Sequence, residues 1–507
     1  MHNKALSIII SVCNDGVPLE HVIQLYKQLQ PYEIIVAADE KCKHCIDIAR
    51  TYDCRVFVCA ELLDTYKGHA IGAKEAKGDI LLFVDSKIGI TSPTMKMFLQ
   101  PLIDGTADVV INKMDYVFYK KQQPPPTVIW PQITNHFFHR SDLKIDSIIF
   151  VPYAMTKQAV DAIHSECLAN PVLAHLNIID HQFRIANHLP IGDVSLYSNK
   201  KVQTNSDAQS GSDKRMLGYH LNAISYCTKE MRDPRAGYSD GGRRFDIIKE
   251  LKSGTTKHMP KVILGRGKRS TLYEGKQLSV IIPVQNEAKL IRSIIEECRK
   301  LEPIEIIVVV NGTIDKTAEI AEKCEAKVII YNEKLGLDTG RAVGAYFAEG
   351  DIMLFIDGDF VISEEDLTPF VHSVQSGVDL ALNDLNHYLT CHTPLHIVTA
   401  CKYAINLACG RRDLGVGSTV AVPHAFSKEC IDQLGFEALA TPVLSQVATI
   451  MNGHSVKNVH RVEVDKMNRF RPDKHFTNKR GKLAPTTSLI VGDHTEALSY
   501  LANRRLF

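Results

Sequence analysis

Several features are scarce in this chain of 507 residues, and each scarcity narrows what it can do. Aromatic residues make up 7% of it, tryptophan occurs once, and the formal net charge is only +1. A nucleic-acid-binding protein usually carries a basic excess, so this balance gives no support to a nucleic-acid partner. No window approaches the ~18 consecutive apolar residues that a membrane span needs. We therefore expect a chain without a transmembrane segment.

A secretory leader and a disulfide framework are not apparent in the pattern either. The apolar stretch Leu6–Val12 is short for a signal peptide, and no small-residue cleavage site follows it. The 13 cysteines are odd in number and lack framework spacing, which favours free thiols and a cytoplasmic location. Cys42, His44 and Cys45 suggest zinc, but the two ligand pairs of a zinc finger are missing. Zinc is the weaker interpretation.

The most informative feature that the sequence does contain is an internal repeat. Residues 6–87 align with residues 278–359 without a gap, and 29 of the 82 positions are identical. The match resumes further on, where Gly218–Tyr226 corresponds to Gly492–Tyr500. The period is far too long for a solenoid, so we predict two copies of one domain.

These correspondences give the expected domain boundaries. We predict a first domain over residues 1–231 and a second over residues 277–507. The stretch 232–276 is polar and punctuated by glycine, which is typical of a linker, and a short helix is expected near Phe245–Leu251. Its basic segment Lys261–Arg269 is interpreted as solvated surface.

Apolar runs and helical periodicity alternate along the second copy. Leu278–Val284 and Glu305–Val310 are short, rich in β-branched residues and typical of buried strands. The segment Asn286–Leu301 between them carries apolar residues at helical spacing. Strands that alternate with helices predict an α/β fold, in each copy a mostly parallel sheet flanked by helices. Ligands of such sheets bind beyond the carboxyl ends of the strands.

Polar side chains are concentrated at those strand ends. Asp357 and Asp359 follow the apolar run Ile352–Ile356 and are separated by one glycine. Two carboxylates so close at one strand end can face the same cation, and hard oxygen ligands suit Mg²⁺ or Mn²⁺. Such an ion can neutralise charge on a departing diphosphate. We therefore predict a divalent-metal site.

Two other enzyme classes share this sheet layout. A nicotinamide-dependent dehydrogenase has a glycine fingerprint directly after its first strand, and residues 285–288 contain no glycine. A nucleotidyltransferase would ordinarily have a glycine-rich, basic loop at the same point. Both are therefore the weaker interpretations.

Three segments together, Pro283–Glu287, Gly340–Asp351 and Asp357–Asp359, resemble the family 2 glycosyltransferases, which have the GT-A fold. The resemblance covers both copies and is strongest over residues 278–359. It implies that Asp357 and Asp359 coordinate Mn²⁺ or Mg²⁺. The nucleotide contacts that it implies are Pro283, Asn286, Glu287, Asn311 and Arg341. Asn311 stands where the family usually has an aspartate that reads the base, so the choice of base is open.

The general base and a third metal ligand are less well defined. The family commonly supplies the base from a Glu-Asp pair at the start of a later helix, but Thr441 and Pro442 stand in that place. Glu437 and Asp413 are the substitutes that the sequence offers. Members of this fold often add a late histidine as a metal ligand, and His475 is preferred here because the first copy has no counterpart of it.

The first copy departs from the pattern at the predicted metal site. Asp359 is replaced by Lys87, which repels a divalent ion, and Arg341 is replaced by His69. We expect a degenerate domain that serves as a scaffold, binds acceptor, forms a dimer surface or binds a nucleotide without metal. His494, in contrast, has a counterpart in the first copy, which favours a structural role for it.

These observations predict a metal-dependent, inverting glycosyltransferase that takes its sugar from a nucleotide-sugar donor, with a UDP-sugar favoured. The acceptor (a glycan, a polymer or a small molecule) and a homo-oligomeric state are left open. The competing hypothesis is a non-catalytic scaffold that binds sugar nucleotides or glycans, and it is motivated by the missing Glu-Asp pair.

Overall fold

Strands form where the sequence has its apolar, β-branched runs, because such side chains pack well on a pleated surface that is buried on both faces. The structure is a computed structural model, and it describes residues 4–60, 64–114, 126–191, 211–255, 257–267, 273, 275–391, 394–467 and 483–504. The chain divides into two units, one ending at Cys227 and the other beginning at Thr228.

The first unit contains a sheet of seven strands in the order β3-β2-β1-β4-β6-β5-β7. The strands are β1 (Leu6–Val12), β2 (Glu33–Asp39), β3 (Arg55–Cys59), β4 (Ile80–Asp85), β5 (Val109–Ile111), β6 (Tyr153–Thr156) and β7 (Ile185–Ala186). The pairs are parallel except where β6 lies against β4 and β5. The α-helices are Leu19–Lys27, Lys43–Thr51, Thr65–Glu75, Ser92–Ile103, Pro126–Phe137, Lys157–Ile163, Pro171–Asp180 and Gly211–Glu230, and the 3-10 helices are Ser141–Leu143 and Ser165–Ala169.

The second unit contains a sheet of eight strands in the order β15-β13-β14-β12-β9-β10-β11-β8. The strands are β8 (Lys261–Ile263), β9 (Leu278–Val284), β10 (Glu305–Asn311), β11 (Lys327–Tyr331), β12 (Ile352–Phe355), β13 (Leu380–Asn383), β14 (His424–Ser427) and β15 (Val456–His460). The α-helices are Phe245–Ser253, Ile291–Lys300, Thr317–Lys323, Thr339–Tyr346, Glu364–Gln375, Tyr388–Cys391, Ile397–Ala408, Lys428–Leu434, Pro442–Met451, Val464–Met467 and Pro485–Arg504, with 3-10 helices at Arg412–Leu414 and Phe436–Ala440.

The strand order of the second sheet repeats that of the first and adds β8 at one edge. The correspondence extends to individual hydrogen bonds: Ser7 Oγ donates to Glu33 Oε1 and Ser279 Oγ donates to Glu305 Oε1, each at 2.7 Å. The two predicted copies are therefore two copies of one fold.

Helices cover both faces of the second sheet. Val280 of β9 packs into an apolar core with residues of the helices Ile291–Lys300 and Glu364–Gln375. Its neighbour Ile281 points into a second core, on the opposite face, that includes the helix Thr339–Tyr346. Because both faces are buried, these strands are apolar throughout. The predicted fold class is confirmed: each unit is α/β, with a mostly parallel sheet flanked by helices.

The stretch 232–276 differs from the predicted linker, because it packs as part of the second unit. The short helix expected near Phe245–Leu251 is present as Phe245–Ser253, and its residues Ile247 and Leu251 join the core. β8 pairs antiparallel with β11 and extends the sheet. Polar composition suggested a solvated chain, yet Arg235 and Arg243 of this stretch are buried in ion pairs with distant carboxylates.

Three further features of the structure concern its cysteines, its possible metal-binding groups and the composition of its helices. All 13 cysteines are free, as predicted. Among the described residues, no group of three or more His, Cys, Asp or Glu side chains could hold a metal ion by itself. Across the same part of the chain, we find no helix with both the length and the apolar composition that crossing a membrane takes.

Candidate functional site

Asp357 and Asp359 lie at the C-terminal edge of the second sheet, as the alternation of strands and helices predicted. They follow β12, whose ladder with β9 continues one residue further because the Ile356 amide donates to the Ile281 carbonyl at 3.2 Å. This bond holds the start of the Asp-Gly-Asp segment beside the end of β9. Both aspartates are partly exposed.

Gly358 between them is required by a close approach. A Cβ at this position would lie 2.9 Å from Val284 Cβ and 3.2 Å from the Pro283 carbonyl oxygen. Side chains essentially never pack that closely, so a larger residue would push the segment away from β9. The φ of Gly358 is not positive, so the close approach, and not a left-handed turn, requires the glycine. It thus serves to keep both carboxylates against the end of the first strand.

Arg341 reaches the same place from the helix Thr339–Tyr346. Two glycines let this helix lie directly on β9, since a Cβ at Gly344 would meet Ile281 Cγ2 at 2.3 Å. The Arg341 side chain is 9% exposed, and its Nη2 lies 3.2 Å from Asp357 Oδ1. Nη1 donates to the Thr419 carbonyl oxygen at 3.3 Å. The predicted nucleotide contact and the predicted metal ligand are therefore direct partners.

The other predicted nucleotide contacts lie in the loops after β9 and β10. Asn286 has a φ of 55°, and its Oδ1 accepts a hydrogen bond from the Ile314 amide at 2.9 Å. The Glu287 amide donates to Thr317 Oγ1 at 2.9 Å. These bonds tie the two loops together at the strand ends. Pro283 is paired with Val309 in β10, one residue before β9 ends.

The side chain of Asn311 forms hydrogen bonds to a neighbouring loop of the protein. Its Nδ2 donates to the Gly336 carbonyl oxygen at 2.7 Å, and its Oδ1 accepts a hydrogen bond from the Leu335 amide. An aspartate could accept from Leu335 but could not donate to Gly336. The amide is therefore explained by the fold of the loop before the helix Thr339–Tyr346, which carries Arg341.

His424 borders the site and was missed by the sequence analysis. It stands on β14 opposite Phe355, with ring centroids 5.2 Å apart, and its Nδ1 donates to the Ala421 carbonyl oxygen at 3.0 Å. Burial lowers its pKa to about 3, and the charge of Arg341 acts in the same direction. Comparison of the two copies could have identified His424. The first copy has Tyr153 at its position and His69 at the position of Arg341, so the two positions differ together between the copies.

The two candidate bases are not brought to this edge. Glu437 pairs with Lys252, and its neighbour Phe436 packs on Tyr346, at the other end of the helix that carries Arg341. Burial acts to raise the pKa of Glu437, but the hydrogen bond and charge of Lys252, together with a backbone hydrogen bond, outweigh it and lower the pKa. Asp413 forms a two-bond pair with Arg411. The first copy has a matching pair of Arg140 and Asp142, which indicates a structural role.

Where the family commonly has its Glu-Asp pair, the second unit has a helix that begins with uncharged residues. Thr441 precedes the helix Pro442–Met451, whose first turn contains no acidic residue. Gln446 of this helix accepts from the Thr419 amide at 3.1 Å, so the helix does border the segment that holds Arg341. His475, the predicted third metal ligand, lies outside the described residues. His494 is buried, and its Nδ1 bonds to the Ile490 carbonyl oxygen of its own helix.

In the first unit an uncharged pair of side chains stands where the second unit has Arg341. His69 Nδ1 lies 3.1 Å from the Tyr153 hydroxyl, and burial lowers the pKa of this histidine to about 4. The Lys87 amide donates to Asp85 Oδ1 at 2.7 Å, and the Lys87 side chain is exposed. A neutral, buried pair has thus replaced the guanidinium of the second unit.

Several known proteins are similar to parts of the chain. An undecaprenyl-phosphate 4-deoxy-4-formamido-L-arabinose transferase of Proteus mirabilis (strain HI4320) is 29% identical over 122 residues, which are 22% of this chain and 37% of the relative. Glycosyltransferase AglE of Haloferax volcanii is 33% identical over 113 residues, which are 20% of this chain and 37% of the relative. The chain therefore spans less than two fifths of the length of these relatives.

A solved structure overlaps with part of the chain. Glucosyl-3-phosphoglycerate synthase from Mycobacterium tuberculosis, in complex with Mn²⁺, UDP and phosphoglyceric acid, shares 22% identity with a TM-score of 0.31. The overlap covers 39% of this chain and 72% of that protein, and it is too slight to carry a further conclusion. The family model described as "Glycosyl transferase family 2" is the stronger match. It covers residues 7–162 and 279–392, together more than half of the chain. The chain belongs to glycosyl transferase family 2.

Proposed function

We propose that the second unit transfers a sugar from a nucleotide-sugar donor to an acceptor, with inversion at the anomeric carbon. A UDP-sugar is the favoured donor, and the acceptor is a glycan, a polymer or a small molecule. The observation that carries the proposal is the arrangement of Asp357, Asp359 and Arg341 at one edge of the sheet. It combines two carboxylates that suit a cation with a buried positive charge beside them.

The carboxylates fit a hard divalent cation, Mn²⁺ or Mg²⁺. Such ions are typically held by one or two protein carboxylates and complete their coordination with water and substrate phosphates. Asp357 and Asp359 are a set of this kind, and Gly358 between them lies close against β9. When bound, the ion would stabilise the charge that develops on the leaving diphosphate.

Arg341 supports the same charge from the protein side. Its guanidinium is permanently protonated and is held in place by Asp357, by Asp338 and by the Thr419 carbonyl oxygen. A positive charge that is fixed before the donor arrives costs no reorganisation during the reaction. Positioning of the acceptor hydroxyl and stabilisation of the diphosphate then supply most of the acceleration.

For the first unit we propose a supporting role without metal. Lys87 stands where the second metal carboxylate would be, and the buried pair of His69 and Tyr153 replaces the guanidinium. The charges that would face a diphosphate and a cation are therefore those of the second unit. We therefore expect one metal-dependent nucleotide site per chain.

Calorimetry with UDP-, GDP- and dTDP-sugars, in Mn²⁺ and in chelator, tests the proposal. We expect one of these donors to bind the wild type only with metal, at one site per chain, and binding to be lost in Asp357→Ala and Asp359→Ala. Asp413→Ala is the matched control, because that carboxylate pairs with Arg411 instead of facing the site. Absence of binding to every donor would overturn the proposal.

A non-catalytic scaffold is the second candidate, and one observation favours it. The first turn of the helix Pro442–Met451 contains no acidic residue where the family commonly supplies its base. A scaffold binds a sugar nucleotide but neither transfers nor hydrolyses its sugar. Release of UDP that needs metal and is abolished by Asp359→Asn would exclude the scaffold, whereas binding without any turnover would support it.

A further inference from the structure

A row of alternating charges runs through the second unit to Asp357. Its members, in spatial order, are Arg235, Asp493, Arg243, Asp338, Arg341 and Asp357. The closest distances between successive charged groups are 2.6, 2.7, 2.8, 3.6 and 3.2 Å. The first five side chains are less than 10% exposed, whereas that of Asp357 is 39% exposed. The row therefore begins in the interior and ends at the candidate donor site.

Arg243 is the member that holds the two halves of this row together. A single nitrogen, Nη2, lies 2.8 Å from Asp338 Oδ2 and 2.7 Å from Asp493 Oδ1, and the side chain is only 1% exposed. Asp338 in turn immediately precedes the helix that carries Arg341. A buried carboxylate is costly unless it is paired, so the charge on Arg243 decides how strongly Asp338 attracts Arg341.

The backbone around Arg243 is seated on the loop that precedes the helix of Arg341. A Cβ at Gly336 would lie 2.5 Å from the Gly242 carbonyl oxygen, which shows how closely the two segments pass. The Arg244 amide donates to Thr339 Oγ1 at 3.1 Å. Asn311 holds the other side of the same loop through Leu335 and Gly336. The stretch that resembles a linker in composition thus supports two predicted nucleotide contacts, Asn311 and Arg341.

The first unit provides a comparison within the same molecule. At the positions of Asp338 and Asp493 it has Tyr66 and Tyr219, whose rings pack edge to face with centroids 5.8 Å apart. The Tyr219 hydroxyl donates to Asp64 Oδ2 at 2.7 Å. The buried charges of the row are therefore replaced in the copy that has also lost the arginine and the second metal carboxylate.

We infer that Arg243 is a positioning residue for the donor site. Its positive charge compensates the negative charge of Asp338, so the Arg341 guanidinium stays beside Asp357, where a nucleoside diphosphate and its cation would bind. Without this charge, Arg341 is the remaining partner of the buried Asp338 carboxylate, which draws it away from Asp357. The inference rests on the proposed function for its binding readout and on the structure alone for the position of Arg341.

The first test compares UDP binding in Mn²⁺ for Arg243→Gln and for the double variant Arg243→Gln/Asp338→Asn. We expect Arg243→Gln to weaken binding about tenfold, which corresponds to a coupling of ordinary size between contacting charges. The double variant removes the carboxylate that draws Arg341 away, so its affinity should return toward that of the wild type. Arg244→Gln is the control, since it removes the more exposed pairs with Asp246 and Glu333.

Urea unfolding of both variants separates positioning from folding, because replacing both charges of a buried pair also restores stability. A positioning role predicts that Arg243→Gln binds UDP more weakly under conditions in which it is fully folded. Unchanged affinity in Arg243→Gln, or no recovery in the double variant, would overturn the inference. Arg243→Lys keeps the positive charge but not the planar guanidinium, and it should weaken UDP binding less than Arg243→Gln does. If Arg243→Gln does not fold, Arg243→Lys takes its place in the binding test.

A crystal structure of Arg243→Gln distinguishes failure of this inference from failure of the proposed function. If the wild type binds no UDP, the proposed function fails, but the Arg341–Asp357 distance can still be measured. Arg341 shifted onto Asp338 would support the positioning role. Arg341 retained within hydrogen-bond distance of Asp357 would overturn it, whatever the protein binds.

Discussion

The guanidinium of Arg341 and the carboxylate of Asp357 form an ion pair of 3.2 Å between the third helix and the end of the fourth strand of the second repeat. One was predicted to contact the nucleotide and the other to hold metal. Their direct contact means that a cation at Asp357 must share the carboxylate with a fixed positive charge. We therefore expect metal to bind weakly at this site without nucleotide, since a diphosphate would also provide a partner for Arg341.

Arg341→Met should accordingly change metal and nucleotide binding in opposite directions. Removing the guanidinium relieves repulsion of the cation, so Mn²⁺ alone should bind several-fold more tightly, while UDP in the presence of Mn²⁺ should bind about tenfold more weakly. Electron paramagnetic resonance titration of free Mn²⁺ and calorimetry of UDP measure the two effects. Arg411→Met is the control. A parallel loss of both affinities would contradict the competition between Arg341 and the metal.

Gly358→Ala should damage the site without unfolding the protein. The new methyl group would overlap with Val284 and with the Pro283 carbonyl oxygen, so the segment must move away from β9. We expect a loss of about 1–3 kcal/mol in the free energy of unfolding and a large loss of Mn²⁺–UDP affinity. Gly218→Ala, in a helix where a Cβ would meet nothing within 4 Å, is the matched control and should be neutral or slightly stabilising. Normal nucleotide binding in Gly358→Ala would show that the close approach is not needed.

Arg235→Met should be strongly destabilising although the stretch that contains Arg235 resembles a linker. The Arg235 side chain is 8% exposed and its Nη1 lies 2.6 Å from Asp493 and 2.9 Å from Glu496. Breaking a buried pair leaves charge uncompensated, and we expect a cost of about 3 kcal/mol in urea unfolding. Arg266→Met removes a pair whose arginine is 85% exposed and should cost less than ~1 kcal/mol. Equal effects of the two substitutions would argue against a buried ionic row.

The buried histidines predict a loss of stability in mild acid. An unfolded histidine titrates near pH 6.5, whereas burial holds the pKa of His424 at about 3 in the folded chain. Between these values the unfolded state binds more protons than the folded state. The contribution of His424 to the free energy of unfolding is therefore fully present above pH 6.5 and is lost as the pH decreases. One such group contributes a slope of about 1.4 kcal/mol per pH unit.

His424→Gln should make this dependence shallower by about that amount between pH 6 and pH 4. Urea unfolding at a series of pH values gives the slope. His21→Gln, at an exposed position, is the control for the substitution and should reproduce the slope of the wild type. An unchanged slope in His424→Gln would mean that His424 is protonated in the folded state.

The predictions from sequence succeeded where the signal was local or repeated. Leu278–Val284 was predicted and found as a strand, since seven apolar, β-branched and small residues suit a position between two helical layers. The helix predicted from Asn286 begins only at Ile291, because the residues before it bond to Thr313, Ile314 and Thr317 instead of to the next turn. Side chains of one loop had partners in another, which periodicity does not report.

The chemistry of the site was predicted in part. Asp357 and Asp359 were predicted from their position at a strand end and Arg341 from the resemblance to family 2 glycosyltransferases. Their mutual contact was not predicted, because it depends on how closely the helix Thr339–Tyr346 approaches β9. Glu437 was a weak candidate base on its position in the sequence. The fold carries it to Lys252, at the other end of that helix from Arg341.

By itself the sequence determined that the chain holds two copies of one α/β unit, that each unit begins with buried apolar strands, and that one copy keeps paired carboxylates at a strand end. These properties follow from hydropathy over a few residues and from comparison of the chain with itself. The tertiary structure alone decided that the stretch 232–276 belongs to the second unit. Arg243 meets Asp338 and Asp493, which are 95 and 250 residues away, and the burial of its charge depends on that meeting. No local pattern specifies where such distant partners come together.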